Sequence, residues 1–218
     1  MSNSRAQELA NTYLERNDPT GWFEALYAEA SGDVGKIPWA DLAPNPNLVS
    51  LLNSFLPSYM VKETLLIGCG LGDDAEELAR RGFDVTAFDI SPEAIRWARR
   101  RHPDTKVDYQ VADLFNLPEE WERAFTFVIE SYTLQSLTPN LLEIGIEAVA
   151  RTVEENGYLL VIARGREEQQ IIEGPPWPLT KNEIYYFRDL GLRMIQFDDL
   201  MDNETPSVRR FRALFKRL

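Results

Sequence analysis

Three glycines stand at alternate positions between an apolar run and two aspartates. Segment 68–72 reads Gly-Cys-Gly-Leu-Gly, and Asp73 and Asp74 follow it directly. Because glycine carries no Cβ, this spacing lets the chain turn sharply from a strand into a helix and lets a ligand lie against the main chain. The segment predicts a nucleotide-type pocket, and the alternative is a tight turn that holds no ligand.

The two aspartates indicate which ligand such a pocket would accept. A dinucleotide-binding turn has its third glycine at the position of Asp73. Asp73 and Glu76 have the spacing of a capping box, and acids suit a helix N-terminus, but they would repel a pyrophosphate. A ligand without phosphate is therefore favoured. S-adenosylmethionine meets that demand, since it consists of an adenosine, a sulfonium and an amino-acid end.

Two further acids follow the second and third predicted strands. Asp89 lies about 20 residues beyond the first glycine, where a nucleotide-binding sheet places the acid that holds the ribose hydroxyls. Asp113 follows the third strand. A carboxylate there can accept a hydrogen bond from the exocyclic amine of adenine. The two acids therefore predict an adenosine site.

The fourth strand is followed by Glu130, Tyr132 and Gln135. Ligands of open α/β sheets lie beyond the carboxyl ends of the strands, so these three side chains are candidates for handling a substrate. Glu130 would act as a general base if burial raises its pKa, and Tyr132 is the second catalytic candidate.

The loop after the fifth strand is a further candidate for substrate binding. It begins at Arg164, continues through the polar stretch 165–173 and ends in the rigid segment 174–178, which contains Trp177. The loop is too long for a plain connection. We expect Arg164 and Trp177 to face a substrate, and the alternative is that the loop only packs on the core.

The proline-rich segment 36–46 carries Trp39 and several apolar side chains. Such a loop must pack on something. Trp39 would either cover the ligand pocket as a lid or cap the core.

Several reactive or charged residues have simpler interpretations. Cys69 is expected to be a small side chain in a tight turn, and His102 to lie on the surface at the end of a basic helix. Arg96 and the run 99–101 are expected to be a solvated helix end, with a phosphate-binding patch as the alternative. One histidine, one cysteine and scattered acids give no convergent set of metal ligands, so we expect no metal site.

The composition excludes several classes of partner. The 218 residues carry a formal net charge of −12, which opposes non-specific binding to nucleic acid or anionic lipid. No stretch approaches the roughly 20 apolar residues of a membrane span. A single cysteine and the absence of an export signal at the start predict a cytoplasmic protein. The sequence predicts no particular oligomeric state.

The elements that position these residues predict one α/β domain over 1–218, with a helical segment over 1–60 and a core over 61–218. Helices are expected over 4–16, 21–30, 47–56, 74–81, 92–102, 139–153 and 180–191. Strands are expected over 64–67, 84–88, 106–111, 125–129, 158–163, 192–197 and 208–215.

With the glycine turn and both adenosine acids in place, the stretch from about Leu65 to the C-terminus resembles class I S-adenosylmethionine-dependent methyltransferases. The resemblance implies a Rossmann-like, seven-stranded, mostly parallel sheet of order 3-2-1-4-5-7-6. Strand 7 would be antiparallel, and helices would cover both faces. It also implies a transferase that uses S-adenosyl-L-methionine to methylate a small-molecule acceptor.

The resemblance also implies which residues hold the cofactor. The glycine turn would wrap its methionine part, and the positions after strands two and three would hold the ribose and adenine. Together with Trp39 and Glu130, the expected cofactor residues are Gly68, Cys69, Gly70, Gly72, Asp89, Ile90, Ala112, Asp113 and Leu114. The family often has an acid two residues before the first glycine, where this chain has Leu66.

A weaker resemblance links Pro38, Trp39 and segment 44–48 to thiopurine and thiol methyltransferases, which also tend to lack that acid. It favours a thiol or another soft nucleophile as the acceptor.

Two functions other than methyl transfer stay open. One is a module that binds the cofactor without turnover, and the other is a nicotinamide-dependent oxidoreductase, which Asp73 and Asp74 disfavour.

Overall fold

The apolar runs that end in glycine or in an acid become the strands of one sheet. The computed structural model describes residues 2–54 and 63–218. The strands are β1 (Glu63–Ile67), β2 (Asp84–Asp89), β3 (Asp108–Val111), β4 (Phe125–Ser131), β5 (Val153–Arg164), β6 (Leu192–Met201) and β7 (Arg209–Arg217). Their order is β3-β2-β1-β4-β5-β7-β6. The first five run parallel, and β7 is antiparallel to both β5 and β6. The expected fold is confirmed.

Helices cover both faces of the sheet. They are α1 (Ser2–Leu14), α2 (Gly21–Ala30), α3 (Pro46–Ser54), α4 (Asp73–Arg80), α5 (Pro92–Arg101), α6 (Pro139–Thr152) and α7 (Lys181–Tyr185). Apolar side chains of α6 and α7 form one core cluster with the sheet, and those of α3, α4 and α5 form a second cluster. Within the described helices, none is long and apolar enough to cross a membrane.

The last strand differs from its sequence pattern. Alternation in 208–215 predicts one buried face, yet Leu214 is as buried as Phe211 and Phe215. The reason is the position of β7, which lies between β5 and β6 and is covered from both sides.

Among the helices, α7 is shorter than expected, and the last two residues of the predicted helix 47–56 lie outside the described residues.

A polar contact fixes the N-terminal helices to the sheet domain. Glu24 on α2 accepts hydrogen bonds through Oε2 from Ser91 Oγ at 2.6 Å and from Glu93 N at 3.0 Å. Ser91 is the N-cap of α5, so the contact stabilises a helix start. A third apolar cluster, which includes Tyr27 of α2 and Trp97 of α5, packs beside it. Helix α2 is therefore held against the helix that follows β2.

The glycine at position 72 provides a test of how closely the turn after β1 is packed. Gly72 has φ +90°, and a Cβ there would lie 2.2 Å from Tyr109 Oη. Gly32 has φ +91° with open space around it. A positive φ costs an alanine roughly 1–2 kcal/mol, and overpacking adds roughly 1–3 kcal/mol. We expect Gly72→Ala to lower the free energy of unfolding by about 3 kcal/mol, against about 1 kcal/mol for Gly32→Ala.

Urea unfolding of both variants measures this difference. Tyr109→Phe removes the nearest clashing atom, so it should restore part of the stability lost in Gly72→Ala. Equal losses for the two glycine variants would contradict the tight packing of the turn.

Candidate active site

The turn after β1 is shaped by side chains that need the space of its glycines. Gly68 has φ +62°, and a Cβ there would lie 2.2 Å from Thr133 Oγ1. Thr133 Oγ1 donates to the carbonyl of Ile67 at 3.1 Å, which ties the loop after β4 to the end of β1. The space beside Gly68 is thus filled by Thr133, so this glycine serves the fold directly.

Asp89, the last residue of β2, connects the glycine turn to α5. Its Oδ2 accepts from Gly70 N and its Oδ1 from Ser91 N, both at 2.9 Å. Burial raises the pKa of Asp89, and the two backbone donors oppose that rise. A carboxylate has about four acceptor sites, so each oxygen can still accept a bond from a ligand hydroxyl.

The residues after β3 lie next to those after β2. Ala112 N donates to the carbonyl oxygen of Asp89 at 3.2 Å. Asp113 accepts from Phe115 N at 2.9 Å and so caps a short 3-10 helix. Leu114 is buried, whereas Ile90 and Asp113 are half-buried. The structure therefore brings the predicted ribose and adenine residues to one place.

The predicted capping box of Asp73 and Glu76 is wrong. The N-cap of α4 is Gly72 in the left-handed conformation, and no side chain caps the helix. Asp73 instead forms an ion pair with Arg101 at 2.8 Å, and Glu76 accepts from Tyr109 Oη at 2.9 Å. Arg101 also donates to the carbonyl of Leu71 at 2.7 Å, so the prediction that the whole basic run is solvated is wrong at this residue.

Asp74 faces the loop that precedes α3. Its Oδ1 accepts from Asn45 N at 2.6 Å, and burial raises its pKa to about 6. The side chain of Asn45 continues to β4, where Nδ2 donates to Ser131 Oγ at 3.1 Å. Asn45 thus links the helix after the glycine turn to the end of β4, a contact that no local sequence signal indicates.

Glu130 is fully buried, at 0% exposure, near the end of β4. Its Oε1 accepts from Thr133 N at 2.7 Å and from Leu134 N at 2.8 Å. Its Oε2 is buried and has no hydrogen-bond partner in the described parts of the chain. Burial raises the pKa of Glu130 to about 7, and the two backbone donors oppose that rise. Glu130 was expected to act as a general base if burial raises its pKa, and burial does raise it.

Tyr132 follows β4 in a strained conformation. Its φ is +65°, uncommon for a non-glycine residue, and its ring lies under the guanidinium of Arg210, 5.0 Å from ring centroid to Cζ. Burial raises the pKa of Tyr132. The hydroxyl is therefore a hydrogen-bond donor near neutral pH rather than a base.

Gln135 holds the backbone of the long loop after β5. Its Oε1 accepts from Arg164 N at 2.7 Å, and its carbonyl accepts from Trp177 N at 2.6 Å. The side chain is buried. Its amide oxygen is therefore engaged by the protein, and Gln135 positions the two ends of the loop that carry Arg164 and Trp177, both half-buried. The Trp177 ring packs against Gly174 within that loop.

Trp39 contacts Tyr27, and Tyr27 lies beside the glycine turn. The sequence pattern did not single out Tyr27 as a site residue. Trp39 Nε1 donates to Tyr27 Oη at 2.8 Å, and that oxygen would lie 3.3 Å from a Cβ at Gly70. Tyr27 is buried, whereas Trp39 is 40% exposed. The helical spacing of Trp22, Leu26 and Tyr27 predicts a buried stripe on α2, but it does not reveal what that stripe covers.

Cys69 and His102 do not form a second reactive centre with other described residues. Cys69 is buried, and burial raises its pKa well above the ordinary value, so the thiol is unreactive. His102 is half-buried rather than on the surface, and its Nε2 has no partner among the described residues. Within residues 2–54 and 63–218, no three potential metal ligands cluster.

Glu130 provides a test of the cost of burying this carboxyl. A folded pKa of about 7 against the ordinary value of 4.5 means that the native state binds the proton more tightly, so the free energy of unfolding falls as pH rises through this range. Glu130→Gln removes the ionisation. Relative to wild type, we expect the variant to gain about 2.5 kcal/mol of stability between pH 5 and pH 8.

Urea unfolding of wild type and variant at both pH values measures this gain. Comparison at matched pH cancels the titration of every other group. A difference between the two proteins that stays constant from pH 5 to pH 8 would contradict a buried, ionisable Glu130.

Comparisons with known proteins agree with this geometry. Residues 65–157 match the family model of a methyltransferase domain. A magnesium-protoporphyrin O-methyltransferase of Rhodobacter capsulatus is 33% identical over 106 residues, covering 47% of this chain and 46% of the relative. A ubiquinone biosynthesis O-methyltransferase of Xanthomonas oryzae pv. oryzae is 33% identical over 102 residues, covering 46% and 42%. This chain thus aligns with less than half the length of either relative.

A solved structure matches nearly the whole chain. It comes from work on the conversion of a disulfide bond into a thioacetal group during echinomycin biosynthesis, with a TM-score of 0.72 and 24% identity over 91% of this chain and 92% of that one. This likeness shows the fold. The weaker resemblance to thiopurine and thiol methyltransferases stays a hypothesis. Residues 65–157 are thus similar to a methyltransferase domain, and the sheet has the strand order that the resemblance to class I S-adenosylmethionine-dependent methyltransferases implies.

Proposed function

We propose that the chain binds S-adenosylmethionine at the turn 68–72 and transfers its methyl group to a small-molecule acceptor. The observation that carries the proposal is the pair of hydrogen bonds by which Asp89 holds Gly70 N and Ser91 N. They place a buried carboxylate directly beside the main chain of the glycine turn, in a segment that matches a methyltransferase domain. The bound cofactor would supply a methyl group on a cationic sulfonium.

The residues around Asp89 fit an adenosine. The remaining acceptor sites of its two oxygens suit the two ribose hydroxyls. Ala112 is bonded to the Asp89 backbone, so Asp113 lies near enough to accept from an adenine amine, while Ile90 and Leu114 supply apolar surface for the ring. Cys69 and the glycines would line the methionine part.

The charge of this region favours a cationic ligand. Burial raises the pKa of Asp74, Asp89 and Glu130. A cation placed among them would lower the cost of ionising them, whereas a pyrophosphate would increase it. Asp73, by contrast, is largely neutralised by Arg101. These three buried acids, rather than Asp73, therefore disfavour a nicotinamide dinucleotide.

The acceptor would lie beyond the ends of β4 and β5. Tyr132, Arg164 and Trp177 are half-buried there, and Gln135 fixes the backbone of the last two. Tyr132 would orient the acceptor as a hydrogen-bond donor. Trp39 and Tyr27 would close the opposite side of the turn and exclude water, which aids a transfer that depends on alignment.

A thiol is the acceptor that needs least from these residues. Oε1 of Glu130 already accepts two backbone bonds, and the raised pKa of Tyr132 keeps its hydroxyl protonated near neutral pH, so it cannot take up a proton there. A thiol ionises near pH 8.5 and reacts as the thiolate. We therefore propose that the acceptor is a thiol or another soft nucleophile. We also propose that the protein is cytoplasmic and that nucleic acid is not its partner.

Cofactor binding is tested by calorimetric titration with S-adenosylhomocysteine. We expect Asp89→Asn to weaken binding roughly tenfold or more, since a bond to a charged acceptor contributes roughly 1.5–3 kcal/mol. Asp108→Asn is the matched control, because Asp108 is exposed at the start of β3 and bonds only to Gln110 among the described residues. No heat from the wild type, or unchanged binding in Asp89→Asn, would contradict the proposal.

Turnover is tested by methyl transfer from labelled S-adenosylmethionine to a panel of thiols, phenols and amines. We expect thiols to react fastest, with a rate that rises with pH as the acceptor ionises and shows no fall on the alkaline side up to pH 9. Binding without transfer to any member would instead support a module that holds the cofactor without turnover. A thermal shift with NAD and none with S-adenosylmethionine would revive the oxidoreductase.

A further inference from the structure

One half-buried arginine at the candidate site has no acceptor for its side chain. Arg164 is the last residue of β5, and its guanidinium forms no hydrogen bond or ion pair with the described residues. Every other arginine in residues 2–54 and 63–218 that is buried or half-buried donates to a protein acceptor. Residues 1–4 and 55–62 contain no aspartate or glutamate, so an ion pair with their side chains is excluded.

The backbone that carries this side chain is fixed on both sides. Arg164 N donates to Gln135 Oε1 at 2.7 Å, and the Arg164 carbonyl accepts from Leu179 N at 2.8 Å. The next residue, Gly165, donates through N to the carbonyl of Arg209 at 2.9 Å. The guanidinium of Arg164 therefore extends from an anchored position, which lowers the entropy that a ligand would lose on binding to it.

The neighbouring strand presents a second arginine, and that one is paired. Arg164 lies opposite Arg210 in the antiparallel pairing of β5 and β7, so the two side chains point to the same face of the sheet. Like charges in such positions destabilise a sheet. Arg210 forms ion pairs with Asp202, at 2.8 Å, and with Glu204. These acids offset the charge of Arg210, whereas no described residue pairs with Arg164.

Tyr132 lies beside both arginines. Its ring centroid is 5.0 Å from Cζ of Arg210. Burial raises the pKa of Tyr132, and the charge of Arg210, a hydrogen bond with Asn45 and the charge of Arg164 oppose that rise. Both guanidinium groups therefore lie near the phenol hydroxyl. Tyr132 and Arg164 are half-buried, so both keep surface that a ligand can reach.

A guanidinium next to a phenol hydroxyl matches a carboxylate. A guanidinium can donate two parallel hydrogen bonds to the two carboxylate oxygens, and the hydroxyl can donate a third. A phosphate also fits a guanidinium, but Glu204 acts on the same hydroxyl and would repel a second negative charge. The buried acids near the glycine turn favour a cation there, whereas Arg164 favours a singly charged anion beyond β5.

We propose that the methyl acceptor carries a carboxylate, which Arg164 binds through its guanidinium and to which Tyr132 donates its hydroxyl. This inference rests on the proposed methyl transfer, and it narrows the acceptor to one that has an anionic group besides its nucleophile. Arg164 is then a specificity-determining residue, because it binds the carboxylate and not the atom that receives the methyl group.

The test measures binding of acids and of their neutral amides, so it does not depend on turnover. The pairs are 3-mercaptopropionate with 3-mercaptopropionamide and 4-hydroxybenzoate with 4-hydroxybenzamide, titrated by calorimetry with and without S-adenosylhomocysteine. We expect wild type to bind at least one acid roughly tenfold to a hundredfold more tightly than its amide. Arg164→Gln should remove this preference by weakening the acid and leaving the amide unchanged. Arg151→Gln is the matched control, since Arg151 is exposed at the end of α6 and precedes β5.

Two further variants separate recognition of the carboxylate from a structural role. Arg164→Lys keeps the charge but not the planar fork, so it should keep part of the preference for the acid. Tyr132→Phe removes the third donor and should weaken the acid more than the amide. A phosphonate, 2-mercaptoethylphosphonate, tests the other anion, and tighter binding of it than of 3-mercaptopropionate would overturn the assignment to a carboxylate.

Equal binding of acid and amide by wild type in both pairs would overturn the proposal. A preference that survives Arg164→Gln, or that Arg151→Gln removes as well, would also overturn it. A preference for the acid in a wild type that does not bind S-adenosylhomocysteine would refute the proposed cofactor and support the carboxylate site.

Discussion

The hydrogen bonds between the Asp89 carboxylate and the two turns it joins are the interaction on which the candidate site depends. One oxygen holds the main chain of the glycine turn at Gly70, and the other holds the start of α5 at Ser91. Glu24 fixes the same helix start from the N-terminal side. Asp89 therefore joins the glycine turn to the helix after β2, and Glu24 joins that helix to the N-terminal helices.

The site concentrates acids whose ionised forms are disfavoured by burial. Asp74, Asp89 and Glu130 are all held where burial raises their pKa, and Oε2 of Glu130 lacks a donor in the described chain. Tyr132 adds a positive φ at the end of β4. Perturbed ionisation and backbone strain are typical of functional sites, because binding requires groups that the folded chain alone leaves unsatisfied. A cationic ligand would offset this cost.

The parts of this arrangement that depend on local spacing could be predicted from the sequence. The glycine turn, Asp89 and the strand order follow from spacing and from the resemblance it supports, and the structure confirms the order. Contacts between distant segments could not be predicted. Arg101 reaches Asp73 across 28 residues, which changed a predicted cap into an ion pair. Tyr27 belongs to a helical stripe whose partner only the tertiary fold reveals.

Gln135 shows why polar residues at strand ends are hard to assign from sequence. The long loop after β5 presents backbone donors that need acceptors, and Gln135 supplies them to Arg164 and Trp177.

A crystal structure with S-adenosylhomocysteine bound would test the proposed cofactor site most directly. We expect the ribose at Asp89 and the adenine beside Asp113. A ligand bound away from the turn 68–72, or its ribose directed away from Asp89, would contradict the account.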